Sequence, residues 1–575
     1  MRPMNMKNAT SNTQLLMALV VVVTLSLAPA AFAAVPGISS TAGTSGVFKL
    51  TAQDAYLNQP DGEAIYSWGY GCVTGSAPTF LPKAISSAYC NTMQVPGPTL
   101  IVTEGQKVTV SLTNNLPTAA GNTSLLFPGF QVTASCASAT GCTNGLLTKE
   151  ALPGKTVIYT FTATSPGTRA YYSGTQGDLQ IEMGLYGAVV VLPATVPANC
   201  NTGYHSLIQQ ARTFWNESDF RLSQAAYDHP GSCYDREYLF QWAEMDHRIH
   251  QQAEAQVTAK MGCTAGAPGC SLDVQTEPYH PAYFLINGRS MPDLMDPNYA
   301  VEYPHQPYNG NPHMHPGDLT LIRTVGQGRW QHPFHEHANH VRILARDANL
   351  QLSAGAPVAF TSGLSGDAPV TAPGLAGLLM FNTDTTPGES FDGIFYFTGR
   401  GLNWDAYGHH PPLPGTTAGT AASDPYGDPL ATLTCTPDVN GYNSGVPTAV
   451  NFMEWCQDHD KPVQVAPFGD VPGGGPATLP DPDVFTNGAW YGGSPYLGPD
   501  ASLRGSHPDC STTTSANCTD LLPSNVQANP PNERGWAFMW HSHNEREITT
   551  NNVFPGGMLM MMLVDSREFV IDETE

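Results

Sequence analysis

The feature that most constrains the fold is an alternation of apolar and polar residues with a period of two. It is clearest in VPGPTLIVTEGQKVTVSLTNNLP, which begins at Val95, where residues 99–102 form one short apolar run and Val108, Val110 and Leu112 alternate with polar residues. PGKTVIYTFTA shows the same alternation of apolar and polar residues, and MGLYGAVVVLP ends this β unit with an apolar strand. Short strands at this spacing, separated by some of the chain's 56 Gly and 49 Pro residues, predict a β-sandwich or barrel.

A second β unit is expected to begin near Tyr283 with YFLINGRSMPD and to end with GWAFMWHSH and GGMLMMMLV. Residues 200–276 are richer in Gln, Ala and Glu, which indicates a connector with some helix and a strand near residues 238–242. Residues 398–532 are dense in Gly, Pro, Asp and Asn. A plain loop of that length is rare, so this stretch predicts an ordered insertion or a functional loop.

The N-terminus has the pattern of a secretory signal. Arg2 and Lys7 precede an apolar run at residues 15–27, and Ala31-Phe32-Ala33 supplies small residues at the cleavage positions. We therefore expect a signal peptide over residues 1–33 and a secreted or periplasmic mature protein that has no membrane segment. The alternative is an uncleaved anchor, but the run is short for a bilayer span of about 20 residues.

All twelve cysteines lie after this segment. An even number in an exported chain indicates disulfides, and metal-binding C-x-x-C spacing is absent. We expect sequential pairing: Cys72 with Cys90, Cys136 with Cys142, Cys200 with Cys233, Cys263 with Cys270, Cys435 with Cys456, and Cys510 with Cys518.

The formal net charge of -24 disfavours binding to nucleic acid, because phosphate backbones require a basic patch. A solvated acidic surface is its ordinary explanation.

Several motifs, taken in order, resemble the multicopper oxidase family. VPGPTLIVTEGQKVTVSLTNNLP resembles the start of the first cupredoxin domain, and residues 167–191 resemble its end. LINGRSMP, HPFHEHANHVRIL and GWAFMWHSHNEREITTNNVFPGGM resemble the last domain, while YDREYLFQWAEMDHRIH resembles the link in two-domain copper oxidases and nitrite reductases.

The resemblance implies an all-β chain of tandem cupredoxin-like Greek-key β-sandwich domains, with a partly helical connector and a long loop-rich insertion. The expected boundaries are a first domain at 34–198, a connector at 199–276, and a second domain at 277–575 with its insertion at about 400–532. In the family, a type-1 copper bound by two His and a Cys passes electrons to a cluster of three coppers held by eight His.

The resemblance also implies metal ligands in the last domain. HPFHEH places His332 at a type-1 position and His335 and His337 at cluster positions, and the H-x-H of His541 and His543 supplies two more cluster ligands. An H-x-H in a strand puts both imidazoles on one face. Imidazole suits copper, zinc, iron or nickel, and copper is the expected cofactor. The alternative is a hydrogen-bonded relic of a lost site.

Other family positions are replaced. Ser542 stands where the type-1 cysteine is expected, and Glu547 where its second His is expected. In the first domain, Leu126-Phe127-Pro128-Gly129 stands for H-W-H-G, and Tyr171-Tyr172-Ser173-Gly174 for Y-H-S-H. Glu545 and Glu547 are candidates to complete a His/carboxylate site, although a solvated carboxylate is the more ordinary role for either.

Some remaining motifs have simpler explanations. His313 and His315 are expected to be a hydrogen-bonded loop pair, and His247 and His250 to share a helix face. His340 is expected to be structural, and Tyr171 and Tyr172 to pack. The Met residues near the C-terminus are expected to fill a core rather than bind copper; they are Met558, Met560, Met561 and Met562.

Two functions follow from these patterns. One is an oxidoreductase of multicopper oxidase descent with a reduced or altered metal site, acting on an unknown electron donor or small-molecule substrate. The other is a non-catalytic cupredoxin-fold protein with a metal-binding, structural or partner-binding role. Four-electron reduction of dioxygen to water by the family route is not expected. The two-domain relatives imply a homotrimer.

Overall fold

Paired β-sheets make up most of the chain, as the period-two pattern predicts. The computed structural model describes residues 35–82, 90, 92–361, 369–400, 435–449, 451–456, 535–565, 567, 570, 571 and 573. Within these residues the sheets form two β-sandwich units, so the predicted all-β, tandem cupredoxin-like class is confirmed.

The strands are numbered in chain order over both units. They are β1 (Gly37–Ser40), β2 (Val47–Asn58), β3 (Ala64–Cys72), β4 (Thr79–Leu81), β5 (Leu100–Thr103), β6 (Lys107–Asn114), β7 (Thr133–Cys136), β8 (Cys142–Asn144), β9 (Lys149–Ala151), β10 (Thr156–Thr162), β11 (Gly167–Tyr172), β12 (Tyr186–Leu192), β13 (Arg236–Met245), β14 (Tyr283–Ile286), β15 (His313–Met314), β16 (Thr320–Gly326), β17 (His332–Glu336), β18 (Val341–Arg346), β19 (Asn349–Leu350), β20 (Val358–Phe360), β21 (Val370–Ala372), β22 (Leu379–Met380), β23 (Asn382–Thr385), β24 (Ser390–Phe395), β25 (Gly535–Ser542) and β26 (Leu559–Asp565).

Over the described part of the chain, the helices are few and short. They are α1 (Gly177–Gln180), α2 (Gly203–Trp215) and α3 (His247–Ala259), with 3-10 turns at Thr118–Ala120, Ala198–Asn201, Pro230–Ser232 and Asp293–Met295.

The first unit packs two five-stranded sheets face to face. Their strand orders are β11-β12-β5-β1-β4 and β3-β2-β6-β10-β7. In β6, Val108, Val110 and Leu112 are fully buried, while the residues that separate them are half-buried, which confirms the alternation that predicted this strand.

The second unit packs a seven-stranded sheet against a five-stranded one. The first has the order β14-β13-β16-β24-β18-β19 with β22 beside β18, and the second has the order β15-β26-β25-β17-β23. Met558, Met560 and Met562 lie in the core between these sheets, as expected of apolar residues in a closing strand.

The segment at 199–276 contains the predicted helix and strand. Helices α2 and α3 flank β13, and β13 pairs in parallel with β16 and antiparallel with β14, so this strand is part of the second unit's sheet. The predicted domain boundaries stay a prediction.

The two units meet along β11. Thr168 donates from Oγ1 to Asp392 Oδ1 at 2.6 Å, and Ser390 Oγ donates to the Thr168 carbonyl at 2.6 Å. Tyr227, from the connector, donates to Asp392 Oδ2 at 2.6 Å. These groups are buried, so the contact is a desolvated hydrogen-bond network.

Five disulfides join Cys72 to Cys90, Cys136 to Cys142, Cys200 to Cys233, Cys263 to Cys270 and Cys435 to Cys456. Each is a predicted pair, so the sequential scheme is confirmed for these ten cysteines. Cys510 and Cys518 lie outside the described residues, as do the predicted signal segment and most of the predicted insertion.

Over the described ranges, none of the helices has the length and apolar character needed to cross a bilayer.

Candidate metal centre

The candidate centre is built on two neighbouring strands. Strand β17 pairs antiparallel with β25, with His335 directly opposite His541 and Phe334 opposite Ser542. Because side chains alternate across a strand, this register puts His335 and His541 on one face of the sheet. Phe334 and Trp540 are fully buried on the other face and anchor the pair in the core.

The two H-x-H motifs extend this face beyond the strand ends. His337 follows β17, and His543 follows β25, with its backbone N–H donating to the Pro333 carbonyl at 2.8 Å. The ligand atoms of His335, His337 and His541 all lie within 4.8 Å of one another. The ring of His543 lies 5.0 Å from that of His335 and is exposed at the surface. The structure therefore brings the four predicted cluster histidines together.

Hydrogen bonds fix the orientation of two of these rings. His335 Nδ1 lies 2.6 Å from the Phe381 carbonyl oxygen, and His541 Nδ1 lies 2.6 Å from the Ser542 carbonyl oxygen. A carbonyl only accepts, so Nδ1 carries the proton in both rings and the lone pair is on Nε2.

Burial keeps these rings neutral. It lowers the pKa of His335 to about 4, although the Phe381 hydrogen bond opposes the shift, and it lowers the pKa of His541 in the same direction. Neutral imidazole is the form that binds a transition metal, so both residues are ready to bind at neutral pH.

The donor set fits a transition-metal ion. His337 Nε2 and His541 Nε2 are 3.1 Å apart. Two nitrogens at that separation can each lie about 2.0–2.1 Å from one ion, the usual length of a metal–imidazole bond. His335 adds a third nitrogen, and the exposed His543 is close enough to add a fourth.

His332, by contrast, lies apart from this cluster. It is three residues before His335 on β17, so it points to the opposite face of the sheet. Its Nδ1 lies 2.9 Å from Glu547 Oε2 and its Nε2 lies 2.8 Å from Glu244 Oε2, in a fully buried environment. With both ring nitrogens facing carboxylates, neither has a lone pair for a metal. This arrangement counts against the ligand role predicted for His332.

Electrostatics supports the same interpretation of His332. Burial alone would lower its pKa, but the hydrogen bonds to Glu244 and Glu547 and their charges raise the pKa to about 9. The residue is therefore an imidazolium between two carboxylates at neutral pH.

Ser542 and Glu547 belong to this buried network. Ser542 Oγ donates to Glu547 Oε2 at 2.5 Å, and Asn544 Nδ2 donates to Glu547 Oε1 at 2.8 Å. The residues predicted at the type-1 positions therefore form a hydrogen-bonded set with no thiolate, and a type-1 copper does not fit His332, Ser542 and Glu547. Glu547 is buried here rather than solvated.

Glu244 is a member of the network that sequence reasoning missed. It lies in β13, far along the chain from His332, and accepts hydrogen bonds from the Arg329 and Trp330 backbone N–H groups at 2.7 and 2.9 Å. The motif YDREYLFQWAEMDHRIH contains Glu244 but predicts only a link between domains, so its role is revealed by the pairing of β13 with the second unit.

The replaced first-domain positions also lie together. Leu126 and Tyr172 form a bridge, with the Leu126 N–H donating to the Tyr172 carbonyl at 2.8 Å. A Cβ added at Gly174 would come within 2.8 Å of the Leu126 side chain. Leu126 thus fills the space beside Gly174. The residues at the four predicted histidine positions of this domain offer no imidazole; they are Leu126, Pro128, Tyr172 and Gly174.

Three of the histidines expected to be structural have hydrogen-bonded rings, namely His250, His313 and His315. His315 Nε2 lies 2.6 Å from Glu217 Oε2, and His313 Nε2 is bonded to Asp565. They lie in and beside β15 rather than in a loop, because β15 pairs with β26. His250, on α3, has its Nδ1 2.6 Å from the Tyr66 carbonyl.

Comparison with known proteins supports the resemblance to multicopper oxidases that the sequence motifs indicate. Residues 78–196 match the family model described as multicopper oxidase. No curated protein matches the sequence.

Several solved structures are similar to the chain. A blue copper oxidase from Nitrosomonas europaea is 13% identical over 90% of this chain and 85% of its own, with a TM-score of 0.39. The multicopper oxidase mgLAC is 13% identical over 92% and 88%, with a TM-score of 0.39. A copper nitrite reductase from Nitrosomonas europaea is 16% identical over 60% and 83%, with a TM-score of 0.33. Residues 78–196 thus match a multicopper oxidase domain, and the paired sheets have the cupredoxin-like β-sandwich fold.

Proposed function

We propose that this protein is an exported, copper-dependent oxidoreductase in which His335, His337, His541 and His543 hold a single metal ion and no type-1 copper is present. The observation that supports it most is the convergence of three buried or half-buried imidazoles whose ligand atoms lie within 4.8 Å of one another. Imidazole nitrogens that converge in this way form a donor set that suits a transition-metal ion.

Copper, when bound there, would supply one-electron redox chemistry. The chain's own contribution is to orient the ligands. Phe381 and Ser542 hold His335 and His541 through Nδ1, as hydrogen-bond partners of metal-binding histidines commonly do. His543 is exposed, so a small electron donor can reach this side of the cluster from solvent.

The residues at the remaining family positions limit the reaction. Ser542 replaces the thiolate through which electrons would enter, and Leu126, Pro128, Tyr172 and Gly174 replace four of the eight cluster histidines. Four-electron reduction of dioxygen by the family route is therefore not part of the proposal. Export through the N-terminal signal and assembly as a trimer remain predictions; light scattering over a concentration series tests the trimer.

The direct test is the metal content of matched variants after copper loading and desalting. His337→Ala combined with His541→Ala removes two converging nitrogens and is expected to abolish bound copper. His280→Ala removes an exposed histidine outside the cluster and is expected to leave the copper content unchanged. Equal copper in both variants would contradict the proposal. Full copper without turnover of any electron donor would leave a metal-binding role and refute the enzymatic one.

A further inference from the structure

A pair of methionines lies beside the histidine cluster, on the face of the sheet that points away from the core. Strand β25 pairs antiparallel with β26, and the register puts Met539 directly opposite Met561. Directly opposed residues in an antiparallel pair have Cβ atoms about 4.5–5.5 Å apart. The two thioether side chains are therefore neighbours.

The alternation of side chains fixes the face on which this pair lies. Phe538 and Trp540, on either side of Met539, are fully buried in the core between the two sheets. Met539 therefore points to the opposite face, together with His541, two residues further along β25. Residues two apart in a strand are separated by about 6.5 Å. The methionine pair thus lies next to the imidazoles.

Met561 differs in this respect from the methionines that surround it. Met558, Met560 and Met562 are buried in the core, as the sequence predicts. Met561 is only half-buried and is not part of that core, so the prediction of a core position does not hold for it. Met539 is half-buried as well. Both thioethers of the pair are thus partly accessible from outside the core.

The chemistry of the thioether group determines which ion this pair suits. Sulfur in methionine is a soft, neutral ligand and favours Cu(I), whereas imidazole also suits divalent ions. A methionine side chain is unbranched and has three rotatable bonds. Two opposed methionines can therefore turn both sulfur atoms toward one ion.

We propose that Met539 and Met561 form a second metal site, which binds the soft monovalent ion Cu(I) next to the histidine cluster. The two oxidation states of copper would then have adjacent sites of different softness, with thioethers for Cu(I) and imidazoles for Cu(II). The methionine pair shares no ligand with the histidine cluster, so each proposal can fail without the other.

Silver(I) is a suitable probe, because it is soft and monovalent like Cu(I) and keeps its oxidation state during a titration. Methyl NMR of the intact protein, labelled with carbon-13 at its methionine methyl groups and kept in chloride-free buffer, observes each thioether separately. Silver is expected to shift the methyl signals of Met539 and Met561. It should leave the signals of Met560 and Met562 in place, since both are buried in the core.

Matched substitutions locate the site. Met539→Leu combined with Met561→Leu keeps the side-chain volume nearly constant and removes both sulfur atoms, so the affinity for silver should fall at least about tenfold. Met560→Leu combined with Met562→Leu makes the same change in the core and should leave silver binding unchanged. If the core variant does not fold, the methyl shifts of the wild type decide.

A histidine variant separates this proposal from the one for the metal centre. His337→Ala combined with His541→Ala removes two imidazoles and keeps both thioethers, so silver should still shift the signals of Met539 and Met561. Met539→Leu combined with Met561→Leu should in turn still bind Cu(II). The proposal is wrong if silver leaves both wild-type signals unmoved, if the shifts are lost in the histidine variant, or if the Met539→Leu/Met561→Leu variant binds silver like the wild type.

Discussion

At the scale of single residues, a buried positive charge lies between two carboxylates. His332, Ser542 and Glu547, which the resemblance places at type-1 copper positions, share a hydrogen-bond network that Glu244 joins from β13. The buried imidazolium has a carboxylate on each side, which supplies the compensation that a buried charge requires. Ser542, at the position predicted for the type-1 cysteine, is thus part of a packed, hydrogen-bonded network.

This network predicts a pH-dependent stability. The folded pKa of His332, about 9, is above its unfolded value of about 6.5. Its ion pairs therefore stabilise the fold fully below about pH 6.5, and this stabilisation is lost as the pH rises through about 9. Glu547→Gln removes one partner and should lower the free energy of unfolding by about 2 kcal/mol at pH 6, with a flatter profile between pH 6.5 and 9.

The matched control is Glu389→Gln, which breaks the half-exposed Arg346–Glu389 pair and should cost less than about 1 kcal/mol. Denaturant unfolding at several pH values measures both variants. Identical pH profiles for wild type and Glu547→Gln would rule out the imidazolium assignment.

At the scale of elements, the register of β17 against β25 decides which histidines meet. A shift of β17 by one residue would turn His335 to the core face, away from His541, and would turn Phe334 out of the core. Met560, opposite Trp540 on β26, adds apolar contacts that hold the register.

Disulfides cross-link the loops between these elements. We predict that the mature protein has a sixth disulfide, Cys510–Cys518, which completes the sequential scheme that the other five pairs follow. Mass spectrometry of unreduced peptides should find all twelve cysteines paired. A free thiol at Cys510 or Cys518, or a crosslink between either and another cysteine, would contradict this prediction.

At the scale of the whole molecule, the two β units are joined by buried polar contacts centred on Asp392. Thr168 from the first unit and Tyr227 from the connector both donate to its carboxylate, and Arg323 Nη1 donates to Thr168 Oγ1 at 3.2 Å. Such a joint couples the units, so a single cooperative unfolding transition is expected.

Asp392→Ala leaves three buried donors without an acceptor and should destabilise the protein by about 3 kcal/mol. Calorimetry should show a lower Tm or a transition split in two. Asp384→Ala, at an exposed position of β23, is the control and should leave Tm nearly unchanged. An unchanged Tm in Asp392→Ala would show that the joint does not couple the units.

Sequence alone is informative where the pattern is local. The alternation around Val108 predicts the strand and its buried face, and the two H-x-H motifs predict the four clustered histidines. It does not reveal the surroundings of His332, whose family position implies a metal ligand, because the partner of its Nε2 is Glu244 on a distant strand. Long-range pairing of that kind leaves no signal in a single sequence.

The electron paramagnetic resonance spectrum of the Cu(II)-loaded protein distinguishes a single all-histidine metal site from a type-1 copper centre. We expect one ordinary, non-blue Cu(II) signal that shows coupling to imidazole nitrogens. A narrow-hyperfine signal from thiolate-bound copper, or a spectrum with no protein-bound Cu(II), would contradict the proposed centre.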